Sequence, residues 1–217
     1  MGWELYVITD TIIGRGRSHE EIARLAIAGG AGVVQLRDKV RTTKELIRIG
    51  RGIAKVAKKT GTIFIVNDRL DIAIACGADG VHLGQDDMPL KTVRKIMPPP
   101  FIIGVSVNTV KEAEKAQAAG ADYLAASPVF PTGSKPDACG FCGLDGISRI
   151  RAASDLPLIA IGGIGLQNAS DVIKAGADGI AVISAVVGEP DIAEAARALL
   201  RIVMDVKKKQ RDLRRFG

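Results

Sequence analysis

The stretch Ala175-Gly-Ala-Asp-Gly-Ile-Ala-Val182 closes an amphipathic segment with a glycine and opens a short apolar, β-branched run. A glycine at that point suits a left-handed helix end, and the alanine after it lets helix and strand pack closely. The same junction stands at Ala28-Gly-Gly-Ala31, Cys76-Gly-Ala-Asp79 and Ala119-Gly-Ala-Asp122. The four copies mean that every second strand–helix unit is built alike. They carry no chemistry of their own; they set the count of units.

Eight such runs occupy the chain: Leu5–Thr9, Val33–Arg37, Ile63–Asn67, Gly80–Gly84, Ile102–Ser106, Tyr123–Ala126, Leu158–Gly162 and Gly179–Ser184. Between them lie segments with apolar positions at i, i+3, i+4 and i+7, near 18–29, 43–59, 69–76, 89–97, 109–119, 144–154, 166–175 and 190–210, which predict helices. Ser18 with Glu21 three residues on reads as a capping box, and Pro89 and Pro190 sit near first turns. No Pro/Ser-rich linker interrupts the alternation. It predicts an α/β chain forming a single (β/α)8 TIM barrel over residues 1–206, with a basic C-terminal tail at 207–217. An open doubly wound sheet is the alternative.

The 217 residues are 47% hydrophobic and carry 30 Lys+Arg against 24 Asp+Glu, so disordered and fibrous classes are excluded and a sizeable core is affordable. No apolar window of about 18 residues runs without charge, Gly or Pro, and Leu5–Ile8 is too short for a signal segment; the cytoplasm is the expected compartment. The net charge of +6 looks like a nucleic-acid signal, but Lys207 to Gly217 holds three Lys and three Arg against Asp212, which is +5 of it. A basic helix end of that kind reads as a solvated terminus. With 8 aromatic residues there are few stacking platforms, and no nucleic-acid or membrane partner is expected. A homo-oligomer is compatible with the sequence and not required by it.

Three cysteines argue against a disulfide framework. Cys76 reads as a small core residue. Cys139 and Cys142 form a lone CxxC, half of a tetrahedral zinc site with no second half in the chain; a metal or redox role stays open beside a structural one. Neither His19, beside the first helix start, nor His82, alone in the fourth run, suggests triad or zinc chemistry.

In a barrel the functional groups gather where strands end. The second run ends Gln35-Leu-Arg-Asp-Lys39, and period-2 geometry places Gln35, Arg37 and Lys39 on one side with Val34 and Leu36 toward the helices. Cations there need anions: aspartates across the barrel, or a bound phosphate or diphosphate. The third and fourth runs deliver Asn67-Asp68 and Gly84-Gln-Asp-Asp87. Asp71 or Asp86 could cap the next helix, whereas Asp68 and Asp87 could share a divalent ion with substrate oxygens. After Gly104-Val-Ser106 and the sixth run comes the longest loop, from Ser127 through Thr132, Ser134 and Lys135, a lid or a plain surface loop. Ile161-Gly-Gly-Ile164 and Val182-Ile-Ser-Ala185 end the last two runs, where barrels of this class frequently bind a monophosphate.

Together these residues resemble thiamine phosphate synthases over essentially the whole chain. The motifs that carry the resemblance are Leu5-Tyr-Val-Ile-Thr-Asp10, Val34-Gln-Leu-Arg-Asp-Lys39, Val66-Asn-Asp68, Gly80-Val-His-Leu-Gly-Gln-Asp-Asp87, Gly104-Val-Ser106, Ser127-Pro-Val-Phe-Pro-Thr132, Ile161-Gly-Gly-Ile164 and Ile183-Ser184. The resemblance implies a transferase that joins hydroxymethylpyrimidine diphosphate to thiazole phosphate, with Gln35, Arg37, Lys39, Asn67, Ser106 and Lys135 on the diphosphate substrate. It implies Mg2+ on Asp68 and Asp87, and Thr132, Ser134, Gly163, Ile183 and Ser184 on the thiazole phosphate. Arg37, Lys39, Lys135 and Ser106 would be the groups that act in catalysis. The family's usual Pro-Thr-x-Thr-Lys stands here as Pro131-Thr-Gly-Ser-Lys135, and the following Pro136 to Gly143 is atypical. A thiazole tautomerase-like barrel, which generally lacks the diphosphate set, is the alternative enzyme; a binding module using the basic tail is the alternative class.

Overall fold

The computed structural model describes residues 2–132 and 141–216, with side chains through Leu213. Eight parallel strands close into a barrel in sequence order, β1 (Leu5–Thr9), β2 (Val33–Leu36), β3 (Ile63–Asn67), β4 (Gly80–Leu83), β5 (Ile102–Val107), β6 (Tyr123–Ala126), β7 (Leu158–Ile161) and β8 (Gly179–Val182). β8 pairs back onto β1 with Leu5 opposite Ile180, so the sheet has no free edge and the open alternative is excluded.

The helices are α1 (His19–Ala28), α2 (Thr43–Thr60), α3 (Leu70–Cys76), α4 (Leu90–Ile96), α5 (Val110–Ala118), α6 (Gly143–Ala153), α7 (Ala169–Lys174), α8 (Ser184–Val187) and α9 (Ile192–Phe216). Ser18 forms its half of the expected cap, accepting from the Glu21 amide at 3.1 Å; full reciprocal boxes form instead at Thr42/Glu45 and Thr109/Glu112. Several expected strand ends move by one or two residues. The eighth run stops at Val182 and Ser184 already begins the extra turn α8, because the backbone turns away at Ile183. α9 runs through residues 206 and 207, and Lys207 is docked on the barrel, its Nζ donating to Glu4 Oε1 at 2.8 Å and to the Asp178 carbonyl at 3.0 Å.

Strand alternation divides the core in two. Val7, Val34, Leu36, Val66, Val81, Ile103 and Leu124 pack outward against the helices, and Tyr6, Ile8, Val33, Ile65, Tyr123, Ile159, Ala181 and Ile183 fill the barrel. Each fully buried aliphatic side chain contributes roughly 1.5–3 kcal/mol.

The repeated junction does more than end a helix. Gly77, Gly120 and Gly176 take φ of +73°, +89° and +113°, the left-handed region expected of them. The aspartates that follow grip the start of the preceding strand. Asp79, Asp122 and Asp178 each donate their amide to a strand carbonyl and accept, through Oδ2, from the same residue's amide: Phe64, Ile103 and Leu158 at 2.7–2.8 Å. This ties β4 to β3, β6 to β5 and β8 to β7 at the closed end of the barrel, opposite the strand C-termini. Among the described residues no helix is long and apolar enough to cross a membrane.

Candidate active site

The C-terminal ends of the strands bring those expected residues that are described to one end of the barrel, at different depths. β2 stops at Leu36, so Gln35, Arg37 and Lys39 do not form the expected single column. Gln35 is buried inside the barrel, 2% exposed, and its Nε2 donates to the Tyr6 hydroxyl at 2.7 Å. Arg37 lies half-buried at the mouth, 3.9 Å from an Asp10 carboxylate oxygen, and Lys39 is exposed on the loop beyond. The aspartate partner comes from the end of the neighbouring strand β1 rather than from across the barrel.

That loop is clamped from below. Asp38, between Arg37 and Lys39, accepts from the amides of Val40 and Arg41 at 2.8 Å, from His19 Nε2 at 3.0 Å and from the Arg41 guanidinium. His19 Nδ1 meets Thr9 Oγ1 at 2.7 Å. Burial opposes ionisation of Asp38, but these hydrogen bonds hold it well below the usual carboxylate range; burial pushes the His19 imidazole down. Asp10 builds the same turn at the end of β1, accepting from the amides of Ile12 and Ile13 at 2.9 Å.

Asp68 and Asp87 follow adjacent strands. Asp68 sits in a left-handed conformation, φ +61°, with its amide donating to the His82 carbonyl at 2.8 Å. Such a backbone is uncommon outside glycine, and aspartate tolerates it better than most. Asp87 accepts from the Gly84 amide through Oδ2 at 2.6 Å, so Oδ1 remains for another ligand. Neither expected aspartate cap forms: α3 starts after Arg69 with no side-chain cap, Asp71 lying within its first turn and pairing with Arg69 at 2.6 Å, and α4 starts after Pro89. Among the described residues no group of three or more His, Cys, Asp or Glu could hold a metal ion. Carboxylates such as Asp68 and Asp87, without His or Cys beside them, would suit a hard ion that completes its shell with phosphate and water, and not zinc.

Ser106 is half-buried on β5, its Oγ 2.9 Å from His82 Nε2 and its carbonyl accepting from Gln85 Nε2 at 2.5 Å. Asn67 ends β3 opposite His82. On the far side of the mouth a cleft is lined by Thr132, Gly163, Ile183 and Ser184 together with Ser127 and Pro128. Gly162 and Gly163 have φ of +107° and +64°, and a Cβ on Gly163 would lie 2.6 Å from the Pro131 carbonyl, so only glycine lets the two loops meet there. Ser134, Lys135 and Cys139 lie outside the described residues. Cys142 precedes α6, its thiol pushed up by burial, which keeps it a poor nucleophile. Sequence reasoning assigned no site role to Tyr6, Thr9, Asp10, Asp38 and Tyr123, and set His19 and His82 aside as not triad or zinc groups. For Tyr6, His82 and Tyr123 the available signal was polar residues at inward-facing strand positions, which must find partners once buried.

The profile of the thiamine monophosphate synthase family matches residues 5–186. A thiamine-phosphate synthase of Methanoregula boonei is 58% identical over 99% of both chains, and one of Methanoculleus marisnigri is 58% identical over 92% of this chain and 94% of its own. The solved thiamine phosphate pyrophosphorylase of Pyrococcus furiosus superposes with a TM-score of 0.87 at 42% identity, covering 94% of this chain and 97% of that one. A rim of this geometry, with matches that span the barrel from β1 to α8, places the chain in the thiamine monophosphate synthase family.

Proposed function

We infer that the chain is a thiamine-phosphate synthase, coupling 4-amino-2-methyl-5-hydroxymethylpyrimidine diphosphate to thiazole phosphate with release of diphosphate. The observation that carries this is the 58% identity to a curated synthase over 99% of both chains, the diphosphate set Arg37, Lys39, Asp68, Asp87 and Lys135 being present.

Position and charge at the rim support roles for the described residues, and the resemblance supplies those of Ser134 and Lys135. Arg37 and Lys39 at the β2 end, Asn67 at the β3 end, Ser106 on β5 and Lys135 on the long loop hold the diphosphate, with Gln35 deeper in the barrel toward the pyrimidine. Thr132, Ser134, Gly163, Ile183 and Ser184 hold the thiazole phosphate across the mouth. Asp68 and Asp87 would hold Mg2+, which when bound neutralises diphosphate oxygens. The C–O bond breaks with its electron pair leaving on diphosphate, and the thiazole nitrogen forms the new C–N bond to the methylene carbon. Arg37, Lys39 and Lys135 stabilise the charge that develops on the leaving group. The apolar wall of Ile8, Ile161 and Ile183 excludes water from the electron-poor carbon. No side-chain nucleophile or base is required.

Incubation of the purified protein with both substrates and Mg2+, followed by detection of thiamine phosphate, tests the reading. Product is expected in proportion to enzyme; none from a folded protein refutes it. Isomerisation of thiazole phosphate alone would move the chain to the tautomerase reading.

A further inference from the structure

A continuous chain of hydrogen bonds crosses the barrel beneath the mouth. Gln35 Nε2 reaches the Tyr6 hydroxyl at 2.7 Å, Tyr6 reaches the Tyr123 hydroxyl at 3.0 Å, Tyr123 reaches His82 Nδ1 at 2.9 Å, and His82 Nε2 reaches Ser106 Oγ at 2.9 Å. The two tyrosines are the only ones in the sequence. Gln35, Tyr6, Tyr123 and His82 are at most 5% exposed, so solvent cannot substitute for a missing link. The sequence makes room for the chain: Gly104 lies opposite Tyr123, and a Cβ there would overlap the phenol ring. The His82 ring stacks on Tyr123 with centroids 5.6 Å apart.

Donor and acceptor chemistry gives the chain a direction. The Gln35 nitrogen can only donate, so Tyr6 accepts from it and passes its single proton to Tyr123. Burial pushes both phenols up, so both keep their protons at neutral pH. Tyr123 then donates to His82 Nδ1. An imidazole that accepts at Nδ1 carries its proton on Nε2, and that proton goes to Ser106 Oγ. The Ser106 proton is not needed inward.

We propose that His82 is a positioning residue: fixed as the Nε2–H tautomer by Tyr123 and Tyr6, it holds the Ser106 hydroxyl as a hydrogen-bond donor toward the substrate's diphosphate. The proposal rests on the assignment of Ser106 to the diphosphate above. A chain running the other way would turn the serine proton inward and present a lone pair to an anion. The direction set by the Gln35 amide is therefore what makes the serine useful, and it links the residue proposed for the pyrimidine to one proposed for the leaving group.

The test is Tyr123→Phe, which keeps the ring and deletes the central hydroxyl. Calorimetric titration with inorganic diphosphate and Mg2+ is expected to show binding weakened about tenfold. The same substitution in a Ser106→Ala background is expected to add no further loss, a result a merely structural role would not give. Tyr6→Phe, which removes the bias but leaves Tyr123 able to donate, is expected to weaken binding less, and serves if Tyr123→Phe does not fold. Nitrogen NMR of the wild-type protein reads the tautomer directly. A proton on Nδ1, undiminished diphosphate binding in the folded variants, or an equal loss with and without Ser106 would overturn the proposal. None of these readouts needs turnover, so failure of the coupling reaction is distinguished from failure of the relay.

Discussion

Two positions show how single residues settle opposing effects. Gly50 lies in the interior of α2, where replacement by alanine would ordinarily stabilise the helix by about 0.5–1 kcal/mol. A Cβ there would lie 2.7 Å from Cys76 Sγ and 2.8 Å from Cys76 Cβ on the neighbouring α3. Overpacking of that kind costs about 1–3 kcal/mol, so Gly50→Ala is expected to lower stability despite the better helix former, and thermal unfolding would show it as a Tm drop of a few degrees. Asp68 and Asp87 follow a different rule. If both act through one ion, Asp68→Asn and Asp87→Asn each weaken metal-dependent binding of the pyrimidine diphosphate, and the double change costs less than the sum. Titrations with and without chelator check this; metal-independent binding, or fully additive losses, would refute the shared ion.

At the scale of elements, the repeated junctions carry a test of their own. Asp122 satisfies the buried amide of Ile103 at 2.7 Å and also pairs with Arg94. Asp122→Ala strands that amide at the start of β5, where removal of a partner costs about 1–3 kcal/mol. Asp122→Asn keeps an acceptor oxygen and should lose distinctly less. Urea midpoints of the two variants decide it, and equal losses would mean that the ion pair with Arg94 dominates. The repeated Gly-Ala junction, with Asp in three of its four copies, made the four paired units legible in the sequence. The grip of each aspartate on the preceding strand was not, because it depends on which strand lies alongside.

For the whole molecule, acid is the informative perturbation. The His19 imidazole is lowered in the folded state, so below the ordinary imidazole value of about 6.5 the unfolded chain binds a proton that the folded chain refuses, and stability falls with pH. Asp38 is lowered too; its contribution is intact above about 4 and is lost only as pH falls through its folded value. Denaturant unfolding at pH 7.5 and 5.5 should show wild type losing stability on acidification and His19→Asn losing less of it. A wild-type protein that gained stability between those values would contradict the assignment.

Periodicity and punctuation alone determined the barrel, because a period-2 run followed by a period-3.6 run, eight times over, leaves few ways to bury every apolar face. The same reading placed Arg37, Asp68, Ser106, Asp87 and the Gly162-Gly163 turn at strand ends. What the tertiary structure decided was depth and partnership. Gln35 and Lys39, four residues apart, end at opposite extremes of exposure because β2 stops at Leu36. His82, which in the sequence suggested neither triad nor zinc chemistry, is satisfied by Tyr123 and Ser106, residues 41 and 24 positions away. A hydrogen bond has reach of about 3 Å and no sequence signature, so networks closed across a barrel appear only when the chain is folded.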